Sequence, residues 1–475
     1  MLALELLIVL GAIFIGARLG SIGIGLAGGI GVLLLGLIGV PVDQAAIPFD
    51  VIFIIMAVIA AISAMQVAGG MDYLVGVADR FLRKHPKQIT LWAPIVTYFM
   101  TLFAGTGHTA FSTLPVIVEV AKENDIRPSK PLSIAVVASQ MAITASPISA
   151  AVVFFASILE PQGVDYVQLL AIAVPSTLLA VVLTSFLANM LGKPLAKDPV
   201  YQERLAKGLV KATTSQQTAA GSRSLVGAGV GTGGVAGGDA GLGDDLPAVP
   251  DSPAALDRLP GANVGRTSVL LFLAGIVAVV AYATSISETV GLITEPTLPR
   301  NEAIITIMLT VGAVIAFLAK FDPAKILKSQ VFQSGMSATV CILGVAWLGT
   351  TFVNARMDQI QALAGDVLST RPWTLAVVLL FASALLYSQA ATTKALMPAA
   401  LALGVGPLGA IAAFPAVSAL FILPTYPTLL AAVEMDDTGS TRIGKFVFNH
   451  PFLLPGLVNI ALAVTFGFLI GSVVL

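Results

Sequence analysis

Long apolar runs alternate with short polar stretches along most of the 475-residue chain, and their lengths predict membrane-spanning helices. Candidate spans fall near residues 2–17, 21–40, 49–68, 132–159, 166–191, 267–286, 301–319, 331–352, 410–433 and 446–472. Two further apolar segments, 91–121 and 373–403, are each too long for one helix and carry a polar break in the middle. We read both as re-entrant helical hairpins, because hydrocarbon tolerates unpaired backbone only where it is buried in protein or lines a polar cavity. Residues 2–17 lack the basic flank and cleavage site of a secretory signal and are read as the first span.

The breaks are the informative part of this pattern. They are Gly105-Thr106-Gly107-His108, Thr144-Ala145-Ser146-Pro147, Ser388 through Lys394, and Pro424-Thr425-Tyr426-Pro427-Thr428. They come in pairs with similar spacing, 41 residues from Gly105 to Ser146 and 39 from Ser388 to Pro427. Paired interruptions at corresponding places in two halves point to the binding site of a secondary transporter. The halves are residues 1–192 and 267–475, each a transmembrane repeat of five spans plus one hairpin. An odd number of spans starts the second half on the opposite side, which makes the repeat inverted and suits alternating access. Residues 193–266 lie between them. A Gly/Ala/Val tract from Gly221 to Gly243 and a Pro-rich stretch from Leu246 to Pro260 predict a disordered linker.

Composition agrees: 57% of residues are hydrophobic and 11% charged, against roughly 25% charged in soluble domains. The fold class is therefore an all-α polytopic membrane protein. Net charge is only −1, but the bases are unevenly placed. With the N-terminus outside, the inner loops hold 13 Lys and Arg residues without counting the linker, and the outer loops hold three, Arg300, Arg356 and Arg371. The positive-inside rule then sets the orientation, with both termini periplasmic or extracellular and the linker cytoplasmic. The single cysteine, Cys341, excludes an intramolecular disulfide.

Chemistry inside the membrane is confined to few groups. His108 and Lys394 are the only basic or near-neutral titratable residues in mid-segment, and no Asp or Glu is evident there. A site rich in donors and short of carboxylates favours an anionic substrate over a cation. Helices starting at the breaks would add free N–H groups and the positive end of the helix dipole, with Pro147 and Pro427 near two such starts. The candidate substrate-binding residues are Gly105, Thr106, Gly107, His108, Thr109, Ser146, Pro147, Ser149, Ser388, Gln389, Thr392, Thr393, Lys394, Thr425, Tyr426 and Thr428. Taken singly, each hydroxyl equally suits a back-bond to its own helix, and His108 suits packing. Lys394 could snorkel to the outer interface. Gln140 and Gln389 serve either structure or substrate.

Other motifs carry no chemistry. Gly23-Ile24-Gly25-Leu26-Ala27-Gly28 matches a dinucleotide fingerprint but lies in an apolar span without a preceding strand, so it reads as helix packing. Asp244-Asp245, Asp436-Asp437, His85 and His450 lack metal-ligand spacing, so no metal or cofactor is expected. A cation/proton antiporter would need a buried carboxylate. A membrane-embedded enzyme would need Asp clusters or a Ser–His motif, and no G-x-S-x-G accompanies the first tip. The chain is read as a carrier and not an enzyme, with no nucleic-acid partner. A carrier of some other small organic anion and, behind it, a membrane-embedded enzyme stay open as alternatives.

G-T-G-H at 105–108 with Leu114-Pro115, S-Q-M-A-I-T-A-S-P-I-S at 139–149, S-Q-A-A at 388–391, L-P-T-Y-P at 423–427 and I-G-K-F-V-F-N-H-P-F-L-L-P-G at 443–456 together resemble the Dcu (DcuA/DcuB-type) family of anaerobic C4-dicarboxylate transporters. The resemblance runs through nearly the whole chain apart from the linker. It implies exchange or uptake of fumarate, succinate, malate and aspartate across a bacterial inner membrane, with protons or sodium as the coupling ions of any net uptake. It further implies an elevator movement of the hairpin-bearing domain and, as in many elevator carriers, a homodimer in the lipid bilayer.

Overall fold

A computed structural model describes residues 2–19, 22–44, 47, 49–192, 194–210, 262–286, 292–386, 388–424, 426–444 and 448–475. The described residues form helices and connections with no strand. This is the expected outcome where no water is available to satisfy open backbone. The first helices, α1 (Leu2–Leu19), α2 (Gly23–Leu37) and α3 (Phe49–Val67), match three predicted spans. At Gly69, held at φ 82°, the chain turns into α4 (Gly70–Lys84), bent 71° from α3. The predicted hairpin at 91–121 resolves as α5 (Ile89–Ala104) and α6 (Ala110–Glu123). The interrupted span follows as α7 (Ser129–Ile143) and α8 (Ala150–Leu159). Helix α9 (Tyr166–Met190) starts at a capping box in which Asp165 and Gln168 satisfy each other's backbone N–H groups.

The predicted linker begins with order. Residues 195–210 contain α10 (Pro199–Ala206), with Leu195, Tyr201 and Val210 forming a small apolar cluster. Buried Asp198 caps α10 through the Val200 N–H at 2.9 Å and pairs with Arg127 at 2.9 Å. Arg204 donates to the Asp437 carbonyl at 2.8 Å, and Lys122 pairs with the Asp437 carboxylate at 2.7 Å. The expectation of disorder across 193–266 therefore fails for this stretch, where ion pairs and a small core offset the ordering entropy. The Gly-rich and Pro-rich parts of the linker lie outside the described residues.

The second half runs through α11 (Ala262–Ser285), α12 (Arg300–Ala319), the short α13 (Ala324–Lys328) and α14 (Gln330–Thr370). The predicted span at 331–352 is thus only the first part of α14, which kinks at Arg356, φ −126°. The sequence places Arg356 in an outer loop. It stands at the kink, in non-helical backbone that joins the two parts of α14, and its guanidinium binds the buried carboxylate of Glu5 on α1. The second predicted hairpin resolves as α15 (Thr374–Leu386) and α16 (Gln389–Ala402). Helix α17 (Pro407–Ala413) continues as a 3-10 segment, Phe414–Phe421, before α18 (Pro427–Met435). The last helix, α19 (Leu453–Val474), starts later than the predicted 446, because Gly444 N–H and the Asn449 carbonyl close a turn at 2.7 Å.

Helices α9, α11, α12 and α19 are each long and apolar enough to cross a membrane, and the bent pair α3–α4 adds a fifth candidate. Their outer faces present apolar side chains that water would not tolerate in such number. Met190, Phe317 and Val473, for example, are 82%, 81% and 85% exposed. The chain is a multi-pass membrane protein.

Two apolar cores organise the interior. The larger is built from α5–α9 and α15–α19, with Tyr98, Phe155, Phe414 and Phe421 fully buried. The smaller joins α3 and α4 to α11 and α12 around Met65, Phe272 and Met308, and takes in Ile148 just ahead of α8, Val153 of α8 and Val331 of α14. Between halves, α9 packs on α19, α3 on α12, α2 on α14, α8 on α16 and α6 on α18.

Candidate functional site

The structure keeps non-helical backbone in the first, second and fourth breaks, whereas in the third only Ser388 lies outside a helix and Gln389 through Lys394 form the first turns of α16. Gly105 closes α5 in the left-handed region at φ 67°, its N–H donating to the Thr101 carbonyl at 2.8 Å. A Cβ at this position would lie 3.0 Å from Ile148 Cγ1, so the first hairpin tip rests directly on the break between α7 and α8. Gly105→Val therefore combines backbone strain of about 1–3 kcal/mol with a clash. We expect a measurable fall in melting temperature of the purified protein together with reduced transport. Unchanged values would mean that the tip is not held in this conformation.

The hydroxyls of the first half tie the two breaks together. Ser146 donates to the Leu102 carbonyl of α5 at 2.6 Å. Ser149 caps α8 by accepting the Val152 N–H at 3.2 Å and donates to the Ile143 carbonyl at 2.6 Å, bracing both sides of its break. The Tyr166 hydroxyl donates to the Pro147 carbonyl. Pro147 thus lies in the break just ahead of α8, two residues before its Ser149 cap. Thr109 shares a bond with the Thr101 hydroxyl at 3.0 Å and donates to the Thr106 carbonyl at 3.2 Å. Gly107, His108 and Thr109 form one 3-10 turn, and the His108 side chain lies outside the described residues.

In the second half Ser388 caps α16 by accepting the Ala391 N–H at 3.1 Å. Thr392 and Thr393 donate back to the Ser388 and Gln389 carbonyls at 2.8 and 2.6 Å. Pro427 occupies the first position of α18, where its missing N–H leaves no intrahelical bond unmade. Tyr426 precedes it, and Thr428 is buried behind it. Thr425 lies outside the described residues.

One residue outside the predicted set joins these pieces. Gln140, buried near the end of α7, donates from Nε2 to Thr428 Oγ1 at 3.0 Å. Its Oε1 accepts from Gln389 Nε2 at 2.9 Å, and its main-chain carbonyl accepts from Ser418 at 3.0 Å. A Cβ on Gly107 would stand 3.7 Å from the same Nε2. Gln140 therefore touches the first tip, the start of α16 and the start of α18, while Ser146 and Ile148 bring in the remaining break. Its signal in the sequence is a lone amide four residues before a Thr-Ala-Ser-Pro break in an apolar helix. That signal is weak without its partners.

Lys394 is the only base in these breaks whose side chain is described. It is 1% exposed, so it does not snorkel to a surface. Its Nζ has no hydrogen-bond partner among the described residues and stands 5.4 Å from the centre of the Phe154 ring. No Asp or Glu occurs within the four breaks. No group of three His, Cys, Asp or Glu side chains is placed to hold a metal among the described residues. A separate groove between α11 and α12, lined by Asn263, Thr267, Ser268 and Ile315 among others, includes no residue of a break.

Over residues 1–475 the chain matches the family described as anaerobic C4-dicarboxylate membrane transporter. The chain belongs to this family. It is 55% identical to C4-dicarboxylate transporter DcuA of Wolinella succinogenes over 475 residues, covering 100% of both chains. Its identity to C4-dicarboxylate transporter DcuA of Escherichia coli K12 is 55% over 476 residues, again covering 100% of both. Anaerobic C4-dicarboxylate transporter DcuB of Escherichia coli O6:H1 is 35% identical over 475 residues, covering 99% of this chain and 98% of that one. The resemblance drawn from the break motifs is thereby established, and the chain is a C4-dicarboxylate membrane transporter and not an enzyme. The buried amides of Gln140 and Gln389 and the hydroxyls of Ser418 and Thr428 form one polar cluster shared by both halves.

Proposed function

We propose that this carrier exchanges C4-dicarboxylates such as fumarate, succinate, malate and aspartate across the bacterial cytoplasmic membrane by alternating access, binding them among the four breaks. The observation that carries the reading is the meeting of both halves at Gln140, with Lys394 buried farther along α16 against Phe154 and no carboxylate in any break. Four helix N-termini, those of α6, α8, α16 and α18, follow the breaks and offer N–H groups to an anion.

The inverted repeat is supported by reciprocal packing. Helix α2 packs on α14 as α3 packs on α12, and α6 packs on α18 as α8 packs on α16. Each pairing is the other with the halves exchanged, as a pseudo-two-fold axis would require. Most of the larger core lies in α5–α9 and α15–α19 and most of the smaller in α3, α4, α11 and α12, which supports a moving domain working against a scaffold, with contacts between them at Ile148, Val153, Leu82 and Ala283.

Energetics favour exchange. Carrying one charge against the membrane potential costs about 2.3 kcal/mol per 100 mV, so a dianion alone costs about twice that. Swapping dianions cancels the term, as would symport of protons or sodium. The test is entry of labelled fumarate into liposomes that contain the purified protein and unlabelled succinate. Entry that requires internal succinate and changes little with imposed potential is the expected result. Absence of entry by folded protein, with or without proton and sodium gradients, would assign the site to another anion.

A further inference from the structure

The placement of Lys394 bears on coupling as well as on binding. The helix that carries it, α16, packs on α8 through Phe154 and on α14 at Gly349, where a Cβ would meet Ala395 Cα at 3.3 Å. Ala390, one turn earlier on the same face as Lys394, packs against an apolar cluster of Ile47, Ile52, Ile55, Ile59 and Phe154. This cluster joins α3 and α14 to α8 and α16. It is therefore a seam between elements of the hairpin-bearing core and elements outside it. The Lys394 ammonium is buried on this seam with no hydrogen-bond partner among the described residues.

We infer that Lys394 makes transport by this chain obligatory exchange: its charge must be paired by a bound dicarboxylate before the seam can move. The inference rests on the dicarboxylate-carrier reading above. Helix side chains tilt toward the helix N-terminus, so the lysine stem leads from its own turn back toward the Ser388 cap. The backbone distance between the two positions is about 9 Å at 1.5 Å per residue. An anion held at the start of α16 is thus within reach of the ammonium. With dicarboxylate bound, the seam carries a paired charge. Without it, the seam must carry the lysine unpaired, either as an ammonium without solvation or as an amine that has first given up its proton. The penalty for an unpaired charge in the membrane interior corresponds to roughly 100-fold slower return of the unloaded carrier. Inward and outward steps then occur efficiently only with substrate aboard, so net one-way flux is suppressed.

The test uses liposomes containing the full-length protein and loaded with labelled succinate, diluted into buffer with or without external succinate. For the wild type, external succinate should raise efflux by at least tenfold. Lys394→Met, close in volume and uncharged, should bind more weakly but leak into succinate-free buffer, bringing that ratio toward one. Lys394→Arg, which keeps the charge, should keep a high ratio. A Met variant that preserves the wild-type ratio overturns the inference, as does an Arg variant that leaks. A Met variant that still binds succinate in a thermal-shift titration but neither exchanges nor leaks gives the lysine a binding role alone and also overturns it. Should the Met variant not fold, Lys394→Gln is read by the same criteria alongside the Arg variant. If wild-type protein shows no dicarboxylate exchange, the functional reading itself falls, whatever the variants do.

Discussion

Gln140→Leu is expected to lower dicarboxylate exchange at least tenfold while leaving folded protein in the membrane. Leucine nearly matches the glutamine in volume but removes both side-chain bonds, the one to Thr428 at 3.0 Å and the one from Gln389 at 2.9 Å. Leaving a buried polar group without its partner costs about 1–3 kcal/mol. Part of this is recovered, since the Gln140 main-chain carbonyl also lies 3.4 Å from Gln389 Nε2 and keeps its bond from Ser418. The stability change should therefore be modest. The transport change should be larger, because the same amide fixes the starts of α16 and α18 relative to the first tip. A geometric constraint of this kind is lost with the side chain even where the fold survives. Exchange rates and melting temperature measured on one preparation separate the two effects. Near-wild-type exchange in Gln140→Leu would remove this junction from the binding site.

The breaks themselves are legible from sequence because Gly, Pro, Ser and Thr clustered inside an apolar run end one helix and start the next. Gly105 at φ 67°, Ser149 and Ser388 as caps and Pro427 at a helix start all fall within the predicted breaks or beside them. Partnerships are not legible. Gln140 and Gln389 are 249 positions apart, and a glutamine in an apolar helix looks neutral until its acceptor is known. The same holds for Arg356, whose partner Glu5 lies 351 positions away. Hydroxyl directions are equally hidden. Ser146, Thr392 and Thr393 all donate to main-chain carbonyls here, so what they offer an anion is decided by the helix ends they shape more than by their own protons. Residues 195–210 fall in the predicted linker only through the Gly-rich and Pro-rich tracts that follow them, and three apolar side chains and the Asp198–Arg127 pair are enough to fix α10.

Gly344→Ala should sharply reduce the yield of monodisperse protein, and Gly29→Ala should leave it unaffected. The glycine-rich run at 23–28 reads from sequence as a packing surface, and α2 does pack along α14. A Cβ on Gly344 would overlap the Gly25 carbonyl oxygen, with the carbonyl carbon at 2.6 Å and Gly25 Cα at 2.8 Å. These are backbone atoms, which cannot rotate aside. On the same seam, a Cβ on Gly31 would meet Leu348 Cδ2 at 2.8 Å and Ala12 Cβ at 3.0 Å, so the helices have little room to shift. Overpacking of a close-fitting interior typically costs about 1–3 kcal/mol. Here the whole contact must open, and in a membrane close packing of small residues is a main source of helix association. Gly29 lies on the same helix with nothing within 4 Å of its Cβ position. Its replacement removes a flexible residue without creating a clash. Size-exclusion profiles and melting temperatures of the two variants in detergent decide the matter. Equal behaviour would show that α2 and α14 do not approach so closely in the folded protein.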